Sequence, residues 1–318
     1  MDIEKLRLAG KIHKEVEEYI RPQAQPNKSL LEICETIENK IQQLTTKYYS
    51  QFQLNNGIAF PTGLSCDHIA AHYTPEDPYI KLNEDSVCKI DFGTHIDGHI
   101  IDSAFTVCFK EKYNPILEAS KNAVNEIIKN IGVDSRISEF GNIATEIVES
   151  YEVDSKPLKV IDNIYGHNIL PYKIHGGKFF INIPNSSEEI IEDNDLLAIE
   201  VYVSNGDGTT IISPHHSSTH YMIHKKEYLK KVPIFKIKKS KLLFNIIKDN
   251  FRTLPFCPRF IYSNSNSELI DFNDSITEFF NMGLISSHPT LIETNIKSKV
   301  AQFEHTIFVT ENNVEILS

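Results

Sequence analysis

Apolar residues recur along the first fifty positions at the spacing of a helix. Leu6, Ala9, Ile12, Val16 and Ile20 form one stripe, and Pro22 ends it. A capping box, Ser29-Leu-Leu-Glu32, opens a second helix with the stripe Ile33, Ile37, Ile41 and Leu44. The pattern then becomes irregular through Phe60-Pro-Thr-Gly63 and Ala70-Ala-His72-Tyr-Thr-Pro75, which read as turns. From Val87 to Val107 the period changes to two. Asp97-Gly98 separates two alternating runs, so a hairpin with a two-residue turn is predicted. That turn pairs Ile96 with His99, Gly93 with Asp102, and Asp91 with Ala104. Ile90, Phe92, Ile101, Phe105 and Val107 then face a core. Asp91 and Asp102 share the opposite face as diagonal neighbours, their Cα atoms roughly 7–8 Å apart. Gly93 and Ala104 leave room between the two carboxylates.

Pro115 begins a third helix, through Ile116, Ala119, Ala123, Ile127 and Ile131, and Gly132 closes it. A fourth covers about Ile137 to Tyr151. Strand-like segments follow at Leu158–Asp162, Lys178–Ile183, Leu196–Ser204 and His220–His224. The order helix, helix, strands thus occurs twice, with no matching residues between the halves. This predicts an α+β fold of two halves packed together, with a cleft where their sheets meet. Residues 225–297 break the rhythm. They open on a lysine run, carry helical stretches at Ser240–Phe251 and Ser275–Leu284, and hold Pro255, Pro258 and Pro289. They read as a helical insertion within a single domain spanning 1–318. The strand rhythm resumes at Val300–Val309.

Composition narrows the class. With 318 residues and 41% hydrophobic positions the chain can fill a large core. A net charge of −11 argues against a general nucleic-acid or anionic-membrane binder. Five cysteines without a CxxC pair fit a reducing compartment. The charged N-terminus has no signal-peptide apolar region, and no apolar run approaches the ~20 residues that span a bilayer. A cytoplasmic protein is expected, with neither DNA nor membrane as partner.

Two ionised carboxylates about 5 Å apart repel by roughly 3 kcal/mol at an effective dielectric near 20. Either a shared proton or a cation offsets this, or both simply face solvent on an open sheet. Three further residues stand where strand logic does not want them. Glu200 interrupts the apolar run Leu196–Val203, and its unpaired burial would cost several kcal/mol. Glu304 shares a strand face with Gln302 and Thr306. His167 follows Gly166, with His175 eight residues on. Singly, each reads as an edge residue or a hydrogen-bonded histidine. Together, two Asp, two Glu and one His on separate strands can hold two divalent ions about 3.5–4 Å apart. Oxygen-rich ligation with one imidazole favours Mn, Fe or Co and admits Zn.

At these residues the chain resembles the type 2 methionine aminopeptidases, within the creatinase-like pita-bread metallopeptidases. The resemblance rests on Phe60-Pro-Thr-Gly63, Ala70-Ala-His-Tyr-Thr-Pro75, Lys89-Ile-Asp-Phe-Gly-Thr-His95, Ile101-Asp-Ser-Ala-Phe-Thr106, Gly166-His167, Ile174-His-Gly-Gly-Lys178, Ala198-Ile-Glu200 and Ala301-Gln-Phe-Glu-His-Thr306. It covers about residues 1–310 and implies a pita-bread fold of two pseudo-related halves. It implies Asp91, Asp102, His167, Glu200 and Glu304 as ligands of two divalent ions, Asp102 and Glu304 bridging. It further implies Glu200 as acid/base, His72 beside the scissile bond and reactive toward fumagillin-type epoxides, and His175 at the substrate carbonyl. Phe60, Ile174, Tyr202 and His220 are expected near a methionine pocket.

Three departures touch that pocket's expected shape: Leu170 after Gly166-His-Asn-Ile, Val201-Tyr-Val203 after Glu200, and His288 where the family has Tyr. The implied activity removes the initiator methionine from nascent polypeptide N-termini, favouring a small second residue. A monomer is expected. The lysines of Lys225–Lys241 are a candidate ribosome-docking patch or a solvated face. A prolidase or X-Pro aminopeptidase would share the ligands but not the Gln-Phe-Glu-His-Thr context. A non-enzymatic relative would be expected to lose ligands, and all five are present.

Overall fold

The computed structural model describes residues 1–48, 56–216, 218–224, 230, 233–262 and 270–318. Helices α1 (Ile3–Ile20) and α2 (Leu30–Tyr48) form where the two apolar stripes predict them. Asp2 caps α1, its side chain accepting from the Lys5 N–H, and the Ser29 hydroxyl accepts from the Glu32 N–H at the start of α2. Their buried faces pack on a sheet of β1 (Asn56–Cys66), β3 (Val87–Ile96) and β4 (His99–Cys108), in the order β1-β3-β4; β2 (Ile69–Ala71) lies between β1 and β3 in sequence. The predicted hairpin register holds: Ile96 opposes His99, Gly93 opposes Asp102, and Asp91 opposes Ala104. Asp97 (φ 50°) and Gly98 (φ 76°) are both left-handed, and a Cβ on Gly98 would lie 2.2 Å from the Tyr172 ring.

The second half repeats this arrangement. Helices α3 (Asn114–Asn130) and α4 (Ser138–Glu149) cover a sheet built around β10 (Leu196–Ser204) and β15 (Val300–Thr310). The short pair β5 (Glu152–Val153) and β6 (Lys156–Pro157) precedes it. The sheet is completed by β7 (Lys159–Val160), β8 (Tyr165–Asn168), β9 (Phe179–Ile181) and β16 (Asn313–Ile316). Strands β11 (Thr210–Ile212), β12 (His220–Ile223), β13 (Ile285–His288) and β14 (Leu291–Glu293) form small sheets, β14 pairing with both β11 and β2. Residues 225–297 contain helices α5 (Lys238–Asn250), α6 (Pro258–Tyr262) and α7 (Phe272–Asn281), which bury Leu243, Phe244, Ile247, Ile276 and Phe279 in a core of their own. The fold is α+β. No helix among the described residues is long and apolar enough to cross a membrane.

The halves meet where β4 lies along β15, and hydroxyl groups join them in place of a backbone ladder. The Thr306 hydroxyl accepts from the Asp102 N–H (2.8 Å) and donates to the Asp102 carbonyl (2.6 Å). Thr106 does the same to Gln302, accepting at 2.9 Å and donating at 2.7 Å. Ser103 donates to the Glu304 carbonyl between them. This seam reveals the residue match between halves that the sequence reading lacked. Thr106 answers to Thr306. Asp91, opposite Ala104, answers to Glu200, opposite Glu304.

Two expectations need correction. Phe60-Pro-Thr-Gly63 is not a turn but the middle of β1, whose register shifts twice, between Ile58 and Phe60 and between Phe60 and Gly63, and Ala70-Ala71, also read as a turn, belongs to β2. Pro61 sits in that irregularity, where no ladder donor is required. The space at Gly93 does not lie between the carboxylates either. The Phe60 ring fills it, and a Cβ there would be 2.2 Å from Phe60 Cε1.

Candidate active site

The hairpin register projects Asp91 and Asp102 from one face, and the β10–β15 register sets Glu200 directly opposite Glu304. His167 comes from β8, where it pairs with Ala198 of β10. All five line one cavity of about 210 Å³ together with His72 and His175. Ligand atoms of Asp102, His167 and Glu304 lie within 4.8 Å of one another. His167 Nε2 is 3.5 Å from Asp102 Oδ2 and 4.0 Å from Glu200 Oε1. Gln302 links the rest. Its Nε2 is 3.0 Å from Glu304 Oε2 and 3.4 Å from carboxylate oxygens of both Asp91 and Glu200. Sequence reasoning put Gln302 on the strand face of Glu304 but gave it no role; that two-residue spacing was the available signal.

The electrostatics are those of concentrated negative charge removed from water. Burial pushes Asp91 up to about 7 and Glu200 up to about 8, the Asp91 charge adding to the second. Asp102 and Glu304 are held well above the usual carboxylate range by burial and then by their acidic neighbours. His167 is lowered to about 4 by burial, so its imidazole is neutral. Asp91 Oδ1 and Glu304 Oε1 are buried without a hydrogen-bond partner among the described residues. Buried unpaired carboxylate oxygens are costly unless a cation meets them. Hard oxygen donors, one imidazole and two orphaned oxygens fit divalent metal.

Neutral histidines form one side of the cavity. His72 has a left-handed backbone (φ 62°), and its carbonyl accepts from the Thr290 hydroxyl at 3.2 Å. Its Nδ1 lies 3.1 Å from the Pro289 carbonyl. A carbonyl only accepts, so Nδ1 carries the proton and Nε2 keeps its lone pair. Burial lowers His72 to about 3. His175 stands edge-on to His167, ring centroids 4.3 Å apart, and 4.9 Å from the His288 ring. Burial, then the neighbouring histidines, push it well below the ordinary imidazole range. His220 is held between the Pro61 carbonyl and the Thr219 hydroxyl, each at 3.1 Å.

Phe60, Ile174, Tyr202, His220 and His288 all line the cavity. Tyr165 and Phe179, which the sequence reading did not single out, stand half in solvent at its rim. Leu170 and Val203 do not line it. Leu170 is exposed in a bridge to Lys173, and Val203 is buried on the opposite face of β10, against α3 and α4. Of the residues in the three sequence departures, Tyr202 and His288 stand in the cavity wall, while Leu170, Val201 and Val203 do not.

The model of metallopeptidase family M24 matches residues 4–311. The chain is 37% identical over 320 residues to methionine aminopeptidase 2-1 of Fusarium vanettenii, covering 98% of this chain and 70% of that protein. Among solved structures, a thermophilic Arx1 superposes with a TM-score of 0.82 at 18% identity, covering 99% of this chain and 89% of that one. A methionine aminopeptidase from Thermotoga maritima gives 0.64 at 19% identity, covering 99% and 95%. At these identities the structural likeness speaks for the fold, which is that of the pita-bread metallopeptidases.

Proposed function

Because the chain belongs to metallopeptidase family M24, we propose that it hydrolyses the bond after an N-terminal methionine, on nascent polypeptides whose second residue is small. One observation carries this reading: three buried carboxylates, the half-buried Asp91 and a neutral imidazole converge in a cavity that also holds His72 and His175. The family uses divalent metal, and we assign two ions (Mn, Co, Fe or Zn) to Asp91, Asp102, His167, Glu200 and Glu304. Four ionised carboxylates carry the charge that two such ions neutralise. When bound, such ions lower the pKa of a water and polarise the substrate carbonyl.

The chain's own groups supply the rest. Glu200 takes the proton of the attacking water and returns it to the departing amine, and Gln302 donates to its carboxylate. His175, neutral, donates to the developing oxyanion. His72 orients the scissile N–H through its Nε2 lone pair, because its Nδ1 proton is committed to Pro289. Gln302 is a positioning residue, keeping three carboxylates apart by donating among them.

A cavity of about 210 Å³ is smaller than the ~300–1,000 Å³ typical of drug-sized ligands, which supports admission of a single residue. Tyr165 and Phe179 at the rim crowd the place of the second residue, which supports a small one there. The reading implies a monomer in the cytoplasm, where nascent chain ends emerge, with residues 225–297 as a helical insertion. It further assigns the lysine run to docking on ribosomal RNA. Lys230, Lys236, Lys238, Lys239 and Lys241 are exposed, while Lys225, Lys226 and Lys231 lie outside the described residues.

The test is elemental analysis of the purified chain beside release of methionine from a Met-Ala-Ser peptide, before and after chelation and metal re-addition. The expected result is two divalent ions per chain and activity that follows them. Full metal loading with cleavage only of X-Pro bonds would reject the substrate assignment. Absence of divalent metal binding would reject the site.

A further inference from the structure

Cys66 and Cys88 face each other across β1 and β3, at the end of the sheet away from the Asp97-Gly98 turn. The Asp67 N–H donates to the Val87 carbonyl at 2.7 Å. The two cysteines therefore form a non-hydrogen-bonded cross-strand pair, in which Cα atoms lie about 4.5 Å apart. That separation falls within the ~4.4–6.8 Å range that a disulfide spans without backbone movement. Both thiols are free. Cys88 is fully buried and Cys66 half-buried, so Cys66 is the more accessible residue of the pair. The chain between them, residues 67–87, carries β2 and His72.

We propose that Cys66 and Cys88 are a reversible dithiol–disulfide couple whose oxidant is a small-molecule disulfide of the glutathione class. The Cys66 thiolate attacks one sulfur of the oxidant and releases one thiolate. The Cys88 thiolate then attacks Cys66 Sγ and expels the second. Two protein thiols become one S–S bond, and the oxidant takes up the two electrons and both protons and leaves as two thiols. The cross-link closes the base of the segment that presents His72. Such closure restricts the unfolded chain without demanding a new backbone geometry.

The experiment treats the full chain with oxidised glutathione, then counts free thiols, maps peptides without reduction, and follows amide hydrogen exchange over residues 67–87. Wild type is expected to fall from five free thiols to three, to yield a Cys66–Cys88 linked peptide, to exchange more slowly in 67–87, and to recover on reduction. Cys66→Ser and Cys88→Ser should each lose the linked peptide, while Cys108→Ser, at a half-buried cysteine elsewhere, should keep it. A cross-link between Cys34 and Cys257, a stable glutathione adduct on Cys66 alone, or five thiols surviving in folded wild type would overturn the proposal. No activity is measured, so the outcome is independent of the metal and substrate assignments.

Discussion

Replacing Asp102 by Asn or Glu304 by Gln conserves side-chain size and removes one charge where the buried donor atoms lie closest. Each is expected to abolish methionine release and lower metal content, by more than the ~10–100-fold that loss of an outer-shell partner costs. Asp97→Asn should change little. Asn tolerates the left-handed turn position, and the lost ion pair with Lys5 is partly exposed and worth about 0–1 kcal/mol. Wild-type activity and metal content in Asp102→Asn would refute the ligand assignment. His72 should be the histidine alkylated by fumagillin-type epoxides, since its Nε2 holds the lone pair on the cavity side of a ring anchored through Nδ1. Mass spectrometry should find the adduct on the His72 peptide; an adduct on His175 instead would exchange the two roles. His13 is a separate case. It stacks on Phe92 with centroids 4.1 Å apart, and neither ring nitrogen has a partner among the described residues. Burial lowers it from 6.5 to about 3. Its folded pKa lies below its unfolded one, so stability present above pH 6.5 is lost as pH falls toward 3, at about 1.4 kcal/mol per unit. His13→Phe should remove that slope and add about 1–3 kcal/mol at neutral pH. Urea titrations of both proteins at pH 7.5 and 5 would show it; parallel losses would refute it.

Among the elements, the β4–β15 seam carries the site. Removing the Thr306 hydroxyl leaves the Asp102 N–H and carbonyl unpaired in a buried position, at about 1–3 kcal/mol for each group. Thr306→Val should therefore lower the melting temperature and, because Asp102 is the residue displaced, metal content as well. Thr306→Ser restores the hydroxyl and should recover both. A Val variant that melts lower but keeps its full metal complement would leave the seam a stabilising feature only. The elements themselves were unequally legible. Helices α1 to α4 and strands β3, β4 and β15 announce themselves by period, and β10 by its apolar run. Strand β1 does not, because Pro61 and Gly63 imitate a turn while occupying an irregular stretch of the ladder. Short strands such as β8, which carries His167, span four residues and show no period at all.

At the scale of the molecule, charge is uneven. Eight lysines and one glutamate fall between positions 225 and 241 in a chain of net charge −11. Such a local cluster attracts phosphates in a salt-dependent way without making the whole protein adhesive. Wild type is expected to pellet with ribosomes at low salt and less so at moderate salt. Changing Lys230, Lys231, Lys236 and Lys238 to Glu should abolish pelleting. Equal pelleting of the two proteins, or salt-independent binding, would make the lysines a solvated face.

The residue types by themselves determined the hairpin, its register and the shared face of Asp91 and Asp102, because a two-residue turn and a period of two leave no freedom. They also marked Glu200 as misplaced in its strand, since an apolar run states its own environment. Tertiary structure alone decided what met those carboxylates. The Thr106–Gln302 and Thr306–Asp102 exchanges join positions about two hundred residues apart, and no local pattern encodes such a pairing. The same holds for Gln302 between three acids, for the Nδ1 proton of His72, and for the exclusion of Leu170 and Val203 from the cavity. Each depends on which surface another strand or loop presents, a property of the assembled chain rather than of any segment within it.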